Sequence, residues 1–60
     1  MTRKDYVVIA DALNITRLKA IGSKEKYNLW IAIVKTMADK LSEDNPKFDT
    51  DRFIDYCIND

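Results

Sequence analysis

Apolar residues recur along this chain with the spacing of three helices. In the first, Tyr6, Ile9, Ala10 and Leu13 fall at i, i+3, i+4 and i+7, which is one helical stripe. Thr2 stands at the N-cap with Asp5 three residues on, the arrangement of a capping box. Met1 and Tyr6 occupy the two positions of a hydrophobic staple. The stop falls at Gly22, because glycine is favoured just past a helix end. Val7, Val8, Ile9, Ile15 and Thr16 lower the helix propensity of this stretch. A strand at Tyr6–Ala10 is therefore the competing reading. The caps, and the lack of a turn signal before Gly22, favour the helix.

The second helix takes Ser23 as its N-cap. Its stripe is the strongest in the chain: Trp30, Ile33, Val34, Met37, Ala38 and Leu41, with Tyr27 one turn earlier. Lys35 and Asp39 stand at i, i+4 on the wetter side. The helix is expected to end near Glu43, since Pro46 disfavours the α conformation at Asn45. A short linker, Asp44 to Phe48, leads to a third helix capped by Asp49. Phe48 before that cap and Phe53 at its fourth position form a second staple. Phe53, Tyr56 and Cys57 make its inward face. The expected fold is all-α, a small three-helix bundle of two longer helices and a short C-terminal helix, in one domain spanning residues 1–60. Its expected core is Tyr6, Ile9, Leu13, Trp30, Ile33, Val34, Met37, Leu41, Phe48, Phe53 and Cys57.

A second set of apolar positions does not fit a monomer of this design. Val8, Ala12 and Ile15 form this set, with Leu18 and Val7 beside them, and Val8 and Ile15 lie opposite Tyr6 and Leu13. Leu29 and Ile31 lie off the main stripe of the second helix. A helix that is apolar all round is normally buried all round. Contiguous apolar surface on a small domain marks contact. Val8, Ala12, Ile15, Leu18, Leu29 and Ile31 are thus the candidate interface, for self-association or for a partner. A homo-oligomer is expected, with the two-fold dimer favoured. It would enlarge a core that 60 residues can barely supply.

Composition narrows the chemistry. The chain has no His and a single Cys, Cys57. It cannot form an internal disulfide, a His/Cys zinc site or a His-assisted nucleophile. No catalytic, metal-binding or cofactor-binding residue is expected, so the chain reads as a non-enzyme without cofactors. One Gly leaves no Gly-rich phosphate loop. The carboxylates Glu43, Asp44, Asp49, Asp51 and Asp55 lack the glycine and terminal Glu of an EF-hand loop, and read as caps and solvated faces. No stretch approaches a membrane span and no leader is read at the N-terminus, so a cytoplasmic location is expected. The net charge is zero. Basic residues dominate the first two thirds and acidic residues the last third, an asymmetry that can orient a partner. A nucleic-acid partner is not expected from so weak a basic excess. Its best form would be a helix-turn-helix at Gly22-Ser23, with Lys24 and Lys26 near a phosphate.

The opening Met1-Thr2-Arg3-Lys4-Asp5-Tyr6, the central Trp30 and the segment Asn45-Pro46-Lys47-Phe48-Asp49-Thr50-Asp51-Arg52-Phe53 together resemble a family of very short bacteriophage and prophage proteins. The resemblance covers nearly the whole chain. Its most specific piece is Asn-Pro-x-Phe-Asp-x-x-x-Phe. Residues 14–26 depart from the pattern, and the tail lacks the family's glycine after the cysteine. The resemblance implies a phage-encoded protein acting in the infected bacterial cell. It implies binding and inhibition of a host bacterial protein, an anti-phage defence component being the case to test. A small DNA-binding regulator is the alternative.

Overall fold

The computed structural model describes residues 2–59. It contains three helices and, among the described residues, no strand: α1 (Arg3–Ala20), α2 (Lys24–Asp44) and α3 (Thr50–Ile58). The expected all-α three-helix bundle is the observed fold. The stretch Tyr6–Ala10, where a strand competed, is helical.

Local chemistry sets the helix ends. At α1 the capping box is complete: the Asp5 amide donates to Thr2 Oγ1 (3.4 Å), and the Thr2 amide donates to Asp5 Oδ2 (2.9 Å). The Met1–Tyr6 staple lies outside the described residues. α1 stops at Ala20, and Gly22 turns the chain with φ +98, which a side chain would resist. Ser23 Oγ accepts from the Lys26 amide, and Asp49 Oδ1 from the Arg52 amide. Asn45 leaves the helix as expected of a residue before proline. The Phe48 and Phe53 rings pack in a tilted pair with centroids 5.3 Å apart, so this staple forms.

The helices run up, down and up. α1 and α2 fold back as a hairpin. Trp30 Nε1 on α2 donates to Leu13 O and Thr16 Oγ1 on α1, both at 3.0 Å. At the far end Asn45 Nδ2 donates to Tyr6 Oη. α3 then returns parallel to α1. Its start lies by Tyr6, whose ring stacks on Phe48 at 4.6 Å. Its end lies by Asn14, whose Nδ2 reaches the carbonyls of Tyr56, Cys57 and Asn59 at 3.3, 3.0 and 2.8 Å. Those carbonyls have no partner inside the helix, so Asn14 satisfies the end of α3 and fixes where it lies.

The core is Ala10, Ala20, Trp30, Val34, Ala38, Leu41, Phe53 and Cys57. Tyr6, Ile9, Leu13 and Phe48 are half-buried against it. Three alanines on the facing sides let the helices approach closely. Two expected core residues are neither in it nor half-buried against it: Ile33 is 46% exposed and Met37 37%. Ile31, expected at the interface, is half-buried and packs on the core instead. The cause is a rotation of α2 by roughly 40° from the position its stripe alone suggests, at 100° per residue. The Ile31 and Ala38 flank of α2 turns into the bundle, and the Ile33 and Met37 flank is left open.

Candidate interaction surface

α2 and α3 both pack on one side of α1, the side of Ala10, Leu13 and Ala20. Among the described residues, none covers the opposite side. At 3.6 residues per turn it gathers Val8, Asp11, Ala12, Ile15, Leu18 and Lys19, every one of them exposed. Val8 is 60% exposed, Ile15 57% and Leu18 66%. Four of the six expected interface residues therefore share this side. Leu29, at 64%, is exposed on α2. Ile31 is the one that the structure withdraws into the core edge. Sequence reasoning missed the Ile33 and Met37 flank, which lines a shallow trough on α2 with Ala32, Thr36 and Lys40.

It also missed a groove of about 590 Å³ between the first half of α1 and the start of α3. Its lining includes Tyr6, Val7, Phe48 and Phe53, with Arg3, Lys47 and Arg52 as its cations. These residues come from three separate segments, so no local spacing announces them. Asp49 also lines it, but its carboxylate is engaged as the α3 cap. The groove offers apolar walls and positive charge, a setting for an acidic or aromatic side chain rather than for bond-making chemistry.

Cys57 is fully buried, and burial pushes its thiol pKa from 9.0 up to about 11. A buried thiol of this kind behaves as a small hydrophobe. The sign of its pH effect follows: the unfolded thiol ionises first, so stability is level below about pH 9 and falls as pH rises toward 11. Urea midpoints at pH 8 and pH 10 should show that loss, and Cys57→Ala should lack its thiol component. An equal loss in both proteins would refute it. Two more carboxylates are engaged locally. Glu43 lies 3.2 Å from Lys40 Nζ, and Asp55 accepts from Asn59. The described residues hold no group of three or more His, Cys, Asp or Glu placed to share a metal ion.

None of the described helices is long and apolar enough to cross a membrane. The α1–α2 turn makes an antiparallel hairpin, whereas a helix-turn-helix sets its helices at about 90–120°. The geometry and the exposed residues thus define a small helical bundle with an uncovered apolar side on α1. Comparison of the chain with protein-family models, with curated proteins and with solved structures found no match.

Proposed function

We propose that this chain is a small non-enzymatic binding protein, phage-encoded, that acts as a homo-oligomer and inhibits a host bacterial protein by occupying its surface. One observation carries the reading: the largest exposed aliphatic side chains of α1, Val8, Ile15 and Leu18, are concentrated on its uncovered side. Scattered aliphatics are ordinary on a protein surface. An aligned set on a chain this small marks a contact. The buried Cys57 thiol supports the non-enzymatic part of the reading. The resemblance of the Asn45–Phe53 segment supports the phage origin, and with it action inside the infected cell on a component such as an anti-phage nuclease.

The test is affinity capture from a bacterial lysate, followed by assay of the captured protein. One host protein should be retained in stoichiometric amount through high salt, because apolar contacts are not screened. Its activity should fall when purified chain is added. Retention of duplex DNA instead, with a steep loss as salt rises, would replace this reading with the regulator.

A further inference from the structure

We infer that a second copy of this chain covers the outward side of α1, the two helices running antiparallel and crossing at Ile15. The inference rests on the reading of that side as an assembly surface, and adds the geometry of the pair.

The charges on this side carry the argument. Asp11 lies four residues before Ile15 and Lys19 four residues after it. Both are exposed, and among the described residues neither takes part in an ion pair within the chain. A two-fold axis at Ile15 with antiparallel helices brings each Asp11 to the partner's Lys19, twice per dimer. Parallel pairing would set Asp11 against Asp11 and Lys19 against Lys19, which is unfavourable. Two of the flanking apolar positions obey the same symmetry. Ala12 and Leu18 stand three residues on either side of Ile15, so each large side chain meets a small one. Ile15 packs on its own copy at the centre, as a two-fold interface requires.

The shape of the chain agrees. Its accessible surface is 4564 Å², against about 4000 Å² for a compact monomer of 7.0 kDa. Its radius of gyration is 11.4 Å, against about 10 Å for 60 compact residues. The bundle is elongated, 34 Å by 18 Å by 14 Å, and open along α1. Val8, Ala12, Ile15 and Leu18 together with the charged stems would bury on the order of 1000 Å² across both copies. That is the low end of specific interfaces.

Sedimentation equilibrium up to hundreds of micromolar tests the pair. Wild type should form dimers. Asp11→Lys and Lys19→Asp should each weaken the dimer roughly tenfold, by opposing like charges at two places. The double variant D11K/K19D should return to within roughly threefold of wild type, because the pairs are rebuilt with their signs exchanged. Both substitutions are at exposed helix positions, so helical circular dichroism should not change. A wild type that stays monomeric overturns the inference. So does a dimer that neither single variant weakens, since a parallel pair gains nothing and loses nothing from Asp11→Lys. Host-protein capture by the same variants separates the two proposals. A monomer that still captures its target overturns the pairing and leaves the functional reading standing. A dimer that rebuilds in D11K/K19D but captures nothing upholds the pairing alone.

Discussion

Replacing Trp30 with Ala should unfold the protein at 25 °C. The side chain is 5% exposed at the centre of the α1–α2 hairpin. It stacks on Tyr27 with ring centroids 5.7 Å apart, and its indole N–H is shared between Leu13 O and Thr16 Oγ1. Truncating a buried Trp costs about 3–5 kcal/mol. A single core of this size rarely supplies more than about 3–5 kcal/mol in total. The two figures match, so Trp30→Ala should lose its helical circular dichroism and its cooperative melt. Trp30→Phe keeps most of the ring but drops the N–H. It should remain folded, about 1–2 kcal/mol less stable. A cooperative Trp30→Ala melt near the wild-type midpoint would show that Trp30 does not hold the hairpin together.

The second large effect concerns assembly and not folding. Ile15→Asp should leave the helices intact and abolish self-association. Ile15 is 57% exposed, so the change in stability should stay within about 0.5 kcal/mol. At the centre of a two-fold contact the same substitution buries two unpaired carboxylates facing each other. That should weaken the dimer by more than about 100-fold. Light scattering reads the mass, and thermal melting reads the fold. An unchanged dimer mass would remove α1's outward side from the interface. A collapsed melt would show that Ile15 belongs to the core.

What could be read from the chain was what its near neighbours decide. The capping box at Thr2 and Asp5, the caps at Ser23 and Asp49, and the Phe48–Phe53 staple each act over a few residues, and each formed as the spacing indicates. The rotation of α2 could not be read this way. Both of its flanks are apolar, and the choice between Ile31 and Ile33 depends on where α3 docks. Asn14 was opaque for the same reason: the carbonyls it satisfies lie 42 to 45 residues away. Thr16 looked like a poor helix former. Its hydroxyl in fact donates to Leu13 O at 2.7 Å and accepts from Trp30, so it completes the setting of the buried indole. The outward side of α1 was legible because it is a single helix face. The groove with Arg3, Lys47 and Arg52 was not, because it exists only once α3 lies parallel to α1.

That parallel return also orders events in time. The hairpin closes across Gly22, and its tryptophan meets partners only 14 and 17 residues away. Such short loops form fast, within the microsecond range of helical proteins. The α3 bonds to Asn14 close loops of more than forty residues, which costs more chain entropy. The hairpin is thus the part of the molecule that can nucleate, and α3 is the part that latches. A ribosome would release the nucleus first and the latch last, so the chain keeps its α1–α2 register from early in synthesis and gains Cys57 as its final buried side chain.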